Sequence, residues 1–304
     1  MIAEWNKKVN LISRKNIDKL WENHILPSAA LAGLLLEKAG EGRGDDDETE
    51  SEIPTCVSEC LDGAEFIDVG TGGGFPGIPL AICFPRARFV LVDSVGKKID
   101  VVKDVVNRLG LENVETVQTR AEGLEGKFDF VVGRSVSSLS DFCEWTFKNM
   151  RLPSDYRQGE GDGGDADEGP GGRLKTGFLR EENLRWQRWG SVRPGLLYIN
   201  GGDHREQTDG LGVPPEGIFP LSDTLPNVYL GDKYVLHYTA KQLWLSPKCR
   251  KRRSEARKRE WLLEEKRKRK GESSLQLNRK SISARLDRAH AARRREAFTT
   301  QWRW

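Results

Sequence analysis

The chain has 304 residues, of which 37% are hydrophobic and 31% charged, so a real core is expected to share the chain with segments that bury little. The net charge of +3 hides an asymmetry: residues 241–304 hold 22 Lys and Arg against seven Asp and Glu, which leaves the first 240 acidic and points the basic end toward a polyanion. The five scattered cysteines fit neither a disulfide framework nor a zinc pattern, no apolar run reaches the ~18 residues of a membrane span, and MIAEWNKK lacks the apolar core of a signal peptide, so a soluble protein of a reducing intracellular compartment is expected.

Residues 1–39 read as helical. Trp5, Val9, Ile12, Ile17, Leu20, Trp21 and Ile25 recur at three-to-five spacing, and a second helix is predicted from about Ser28. His24 is a lone histidine before an apolar run, for which a structural hydrogen bond is favoured over catalysis. Residues 40–61 form an acidic linker.

Residues 65–77, EFIDVGTGGGFPG, organise the rest. Phe66, Ile67 and Val69 suit a buried parallel strand, and Gly70, Gly72, Gly73, Gly74 and Gly77 follow it at once. Pro79 sits where a helix over 78–84 begins. The loop reads as a nucleotide-type cofactor site, but the spacing alone is ambiguous. Gly72, Gly74 and Gly77 match the dinucleotide fingerprint, whereas Gly70, Gly72 and Gly74 behind Asp68 resemble the S-adenosylmethionine (SAM) loop of class I methyltransferases.

A second strand over 89–92 ends at Asp93-Ser94, 23 residues past Gly70, where a carboxylate is placed to take the hydroxyls of a ribose. An amphipathic helix over 97–109, strands over 114–117 and 128–132, and a helix over 139–150 complete a doubly wound α/β pattern. Residues 153–173 read as a disordered insertion, 179–189 as a helix and 195–199 as a fifth strand. A final hairpin is predicted from strands over 228–230 and 234–238 around Gly231-Asp232-Lys233, before a basic, partly helical or disordered tail from 241.

The strings WNKKVNLIS (5–13), HILPS (24–28), FIDVGTGGGFPGIPLAI (66–82), VDSVGKK (92–98), GLENVETVQTRAE (110–122) and GRSVSSLSD (133–141) together resemble the RsmG (GidB) family. Those are SAM-dependent methyltransferases that modify ring nitrogen 7 of a guanine in small-subunit ribosomal RNA. The resemblance covers most of 5–150, weakens over 195–240 and does not reach the acidic inserts or the tail. It implies a class I, Rossmann-like, mostly parallel sheet with a C-terminal antiparallel hairpin, N-terminal helices and a basic tail. It implies SAM as cofactor, no metal, small-subunit ribosomal RNA as partner and a monomer away from membranes. The low-complexity inserts suggest a eukaryotic or organellar version, in plastid or mitochondrion, although no transit segment is visible; otherwise the cytoplasm is expected.

By that resemblance Asp68, Gly70, Gly72, Gly74 and Phe75 line the cofactor pocket, Asp93-Ser94 meet the ribose, Ala121-Glu122 flank the adenine, and Arg134 stands between cofactor and target base as the catalytic residue. Lys7, Lys8, Arg14, Lys15 and the tail are candidate phosphate contacts, and Trp5, Trp21 and Trp261 candidate stacking groups. Three departures stand out: Pro27 replaces the family's usual aspartate, Asn200-Gly201-Gly202 replaces a Lys-Gly, and the first helix looks clipped. A catalytically impaired RNA-binding or ribosome-assembly protein and a nicotinamide-dependent oxidoreductase are the alternatives, the second weakened by Phe75-Pro76 within the loop.

Overall fold

Phe66, Ile67 and Val69 lie in strand β1 (Glu65–Val69) and are buried on both sides, as a run without polar alternation requires. In the computed structural model, which describes residues 2–12, 14–40, 61–151, 189, 191–251 and 254–255, β1 belongs to a seven-stranded sheet of order β3-β2-β1-β4-β5-β7-β6. β2 (Arg88–Asp93), β3 (Val114–Gln118), β4 (Phe130–Arg134) and β5 (Gly195–Gly201) continue it in parallel. β7 (Lys233–Thr239) pairs antiparallel with β5, and β6 (Gly217–Pro220) antiparallel with β7. The order reverses between β1 and β4, which is where open α/β sheets place their ligands.

Each sheet face has its own core. On one, α2 (Leu26–Gly40), α3 (Gly77–Cys83) and α4 (Gly96–Leu109) pack over Phe66, Phe89 and Phe130, whose rings stack at 4.7 and 4.6 Å. On the other, α5 (Leu139–Thr146) packs Leu139, Phe142 and Cys143 against Ile67, Val131 and Tyr198. Of the apolar stripe expected on α4, Ile99, Val102, Val105 and Val106 are buried together with Val101, whereas Leu109 is exposed, and Gly110 ends that helix with φ 64°.

The structure corrects three boundaries. The N-terminal helix is short, α1 (Ile2–Asn6), because the Asn6 side chain turns back to accept from the backbone N–H groups of Leu11 and Ile12; a 3-10 turn (Arg14–Lys19) and a π turn (Trp21–Ile25) lead into α2. The hairpin partner of β7 is β6, not residues 228–230. After α6 (His204–Thr208) and β6, the chain makes α7 (Leu221–Thr224), and Leu230 is buried as an isolated plug after Pro226, which has no N–H to give a ladder. The body also continues past 240: α8 (Ala240–Leu245) and Cys249 join the second core, and the two compact units of the chain are Met1–Arg250 and Lys251–Trp304. The acidic segment over 41–60, the insertion over 153–173, all but Trp189 of the helix over 179–189, and the tail beyond 255 lie outside the described residues.

Candidate cofactor and substrate site

Gly70 leaves β1 with φ 75°, and the loop is stitched to the neighbouring strand: the N–H groups of Gly70 and Thr71 both donate to the Val92 carbonyl, at 2.8 and 2.9 Å. Asp68 braces it from below. Its Oδ2 accepts from Thr71 Oγ1 at 2.7 Å and from the Gly77 N–H at 2.9 Å, tying the start of the loop to the start of α3. Gly77 has to be glycine, since a Cβ there would fall 2.1 Å from Leu91 Cδ2 and 2.8 Å from that carboxylate. Asp68 is 1% exposed, Oδ1 has no partner among the described residues, and burial raises its pKa to about 6 despite those two hydrogen bonds.

Asp93, at the tip of β2, holds the loop from the side. Oδ2 accepts from the Gly72 N–H at 3.1 Å, Oδ1 from the Val95 N–H at 2.9 Å, and Lys98 Nζ stands 3.6 Å away. A carboxylate has about four acceptor positions, so capacity remains for a hydroxyl. Ser94 beside it is exposed. A Cβ on Gly72 would meet nothing nearer than 3.5 Å, so the loop has an open side there. Ala121 and the exposed Glu122 lie in a 3-10 turn just past β3. Gly70, Asp93, Ala121 and Glu122 thus occupy the carboxyl ends of three adjacent strands.

Arg134 ends β4, across the reversal point. Its Nη1 donates to the Asn23 carbonyl at 2.9 Å, and its guanidinium carbon stands 5.7 Å from the centre of the Phe75 ring. Desolvation lowers its pKa to about 10, an effect the Asp68 charge partly opposes. His24 also meets Phe75, ring centres 5.7 Å apart. Sequence reasoning expected a structural hydrogen bond from His24, yet neither ring nitrogen has a partner among the described residues, and the ring is only 8% exposed. Burial, then the charges of Arg134 and Lys233, hold it near pKa 4, neutral at physiological pH.

Three residues here gave no usable signal in the sequence. Asn23 accepts from Arg134 through its carbonyl and from Lys233 Nζ through Oδ1 at 3.4 Å. Lys233 arrives from β7, opposite Gly201. Ser135 adopts φ 47° and donates through Oγ to Asn200 Oδ1 at 3.3 Å. Of the expected RNA contacts, Trp5 donates to Asp104 and packs on the core, Lys8 covers its ring, Trp21 is 63% exposed, and Trp261 lies outside the described residues.

The donor set fits SAM and argues against a dinucleotide. The first amides of α3 are committed to Asp68 and to the Gly74 carbonyl, so a pyrophosphate there would face a carboxylate. A cationic cofactor with ribose hydroxyls instead suits Asp93, an acceptor-only side chain with capacity to spare, and the negative charge of Asp68 beneath the loop. Among the described residues no cluster of three or more His, Cys, Asp or Glu is arranged to hold a metal ion, and no helix is long and apolar enough to cross a membrane.

Comparison with known proteins agrees. The sequence profile of the family described as "GidB: rRNA small subunit methyltransferase G" matches residues 55–155. A "Ribosomal RNA small subunit methyltransferase G" from Flavobacterium johnsoniae is 34% identical, with 78% of this chain and 85% of that protein covered. Its namesake from Flavobacterium psychrophilum is 40% identical, with 79% and 87% covered. Among solved structures, a SAM dependent methyltransferase from Aquifex aeolicus aligns with TM-score 0.37 and 14% identity over 78% of this chain and 96% of that one, too loose a likeness to carry weight.

Proposed function

The chain belongs to the RsmG (GidB) family of ribosomal RNA small subunit methyltransferases, and from that premise we propose that it transfers a methyl group from SAM to ring nitrogen 7 of a guanine in small-subunit ribosomal RNA. One observation carries the reading: a braced glycine loop, a ribose-ready carboxylate and a half-desolvated arginine converge at the point where the strand order reverses.

SAM, when bound, supplies an electrophilic methyl group. Asp93 accepts from the ribose hydroxyls, and Gly70 and Gly72 let the loop backbone approach the ligand. Asp68 acts from beneath by fixing the loop to α3, a supporting place that its burial favours over direct contact. Ala121 and Glu122 border the adenine side, and Arg134 and Phe75 stand between cofactor and target. Nitrogen 7 of guanine has a free lone pair, so no base has to remove a proton first. His24, neutral and wedged against Phe75, is therefore a wall of the site and not a proton acceptor. What remains for the protein is alignment and exclusion of water.

The test is methyl transfer from isotopically labelled SAM to small ribosomal subunits, followed by mapping of the modified nucleotide. Label at a guanine N7 supports the reading. Calorimetric binding of SAM without transfer to any small subunit would leave only the impaired-scaffold alternative.

A further inference from the structure

Arg134 and Lys233 converge on one neutral residue. Arg134 donates to the Asn23 carbonyl at 2.9 Å, and Lys233 Nζ lies 3.4 Å from Asn23 Oδ1 and 2.9 Å from the Leu230 carbonyl. Neither cation has a carboxylate within ion-pair distance among the described residues. His24, next to Asn23 in sequence, is uncharged and adds no third positive charge. Asp68 and Asp232 offset these two charges only in part and from beyond ion-pair distance, so the two cations, partly out of water, still repel each other. Such an arrangement is stabilised when an anion joins it.

The sheet says which anion. Neighbouring strands lie about 4.8 Å apart. Lys233 starts β7, two places beyond β4 and three beyond β1, on the far side of β4 from Gly70 and Asp93. The anion it holds is therefore on the target side, not on the cofactor side. The register supplies a second argument. Lys233 faces Gly201 across the β5–β7 pair, so it stands at the same carboxyl edge of the sheet as Arg134, and Asn200 faces Tyr234. Asn200 is engaged with Ser135 and brings no charge. Tyr229, 90% exposed, precedes in sequence the Leu230 carbonyl that anchors Lys233, and an exposed aromatic in the segment that seats a cation suits a single-stranded nucleic acid better than a small anion.

We propose that Lys233, seated by Asn23 and Leu230 and paired with Arg134, binds a backbone phosphate of the RNA strand that carries the target guanosine. The proposal rests on the reading of the chain as an RNA methyltransferase.

The measurement is fluorescence anisotropy of the full chain with a labelled single-stranded RNA taken from a small-subunit ribosomal RNA, titrated with KCl. Lys233→Gln should weaken binding about threefold to tenfold and make the slope of log K against log salt shallower by roughly 0.7, the share of one phosphate contact on a single strand. Lys233→Arg should restore both, and SAM affinity by calorimetry should be unchanged. Should Lys233→Gln lower the melting temperature, Lys233→Met, which keeps the aliphatic stem, replaces it. An unchanged salt slope overturns the proposal, and so does a loss of SAM affinity with RNA binding intact, which would hand the charge to the cofactor. The two readings fail separately. Wild-type protein that binds RNA through Lys233 but methylates no small subunit sinks the reaction and keeps the phosphate site; methylation with an unaltered slope in the variant sinks the phosphate site alone.

Discussion

The two sides of the sheet's carboxyl edge are built on opposite principles. Around β1 and β2 the fixing contacts lie within one β-α-β unit and give each carboxylate donors: Asp68 holds Thr71 and Gly77, and Asp93 holds Gly72 and Val95 with Lys98 nearby. Around β4, β5 and β7 the contacts join residues more than a hundred positions apart and, among the described residues, give neither cation a carboxylate at ion-pair distance: Arg134 and Lys233 reach Asn23, and the ring nitrogens of His24 have no hydrogen-bond partner there. The first side is a finished cradle. The second is poised for a ligand that brings negative charge and hydrogen-bonding groups of its own.

The sharpest way to break this comparison is by pH, because two buried titratable groups, Asp68 and His24, respond with opposite sign. Asp68 is held above its ordinary value of 3.8, at about 6. Its folded form therefore keeps the proton more readily than the unfolded chain does, and Asp68 subtracts stability as pH climbs from about 4 to about 6. His24 is held below its ordinary 6.5, at about 4, so it contributes stability that is complete above about 6.5 and is lost as pH falls toward 4. His237, also buried and held near 4, has the same sign as His24. In denaturant unfolding across pH 4 to 7, the advantage of Asp68→Asn over wild type should grow by about 3 kcal/mol as pH rises, and that of His24→Phe should shrink by a smaller amount. Parallel curves for either variant would mean that its group is not held out of water.

The same contrast explains what could be read from the sequence. Phe66, Ile67, Val69, the glycines and Asp93 declare the β1–β2 side because each acts on neighbours within a few positions or at the fixed spacing of one β-α-β unit. Alternation of strands and helices predicts the sheet, and Arg134 is singled out by the family resemblance, with which its place at a strand end agrees. Asn23 and Lys233 carry no such mark. Their relevance comes from β7 running back beside β5 and from the N-terminal π turn resting on the sheet edge, and no local pattern encodes a contact across 210 positions. The misassigned hairpin has the same origin: Val228 and Leu230 have strand composition, but Pro226 and the burial of Leu230 make that stretch a plug, and β7 takes the more distant 217–220 as partner.

Smaller effects separate the roles of the two sides. Asp93→Ala removes charge-assisted acceptors from both the loop and the ribose, so SAM affinity by calorimetry should fall by about 2 kcal/mol. Affinity that holds would take Asp93 out of the cofactor site. Arg134→Gln should instead cut kcat for methyl transfer about tenfold while SAM affinity changes by less than about threefold, the mark of lost alignment and not of lost cofactor binding. The reverse split would move Arg134 to the cofactor side of the division.

The smallest change tests whether the target side gives up stability for its geometry. Ser135 follows Arg134 directly with φ 47°, a conformation that costs a non-glycine residue roughly 1 kcal/mol, and its side chain is on the surface with a 3.3 Å contact to Asn200 as its main return. Its N–H donates to the Ile199 carbonyl at 3.2 Å, so the turn itself is anchored by backbone and will survive loss of the side chain. Ser135→Gly should therefore relieve the strain and raise stability by about 0.5 to 1 kcal/mol, or a few degrees in melting temperature. Methyl transfer should fall in the same variant if the hydroxyl and the rigid turn aim Arg134 and Asn200 at the RNA. Stability and activity that rise together would show that the turn is ordinary strain, and would confine the strand-edge device to Arg134, Asn23 and Lys233.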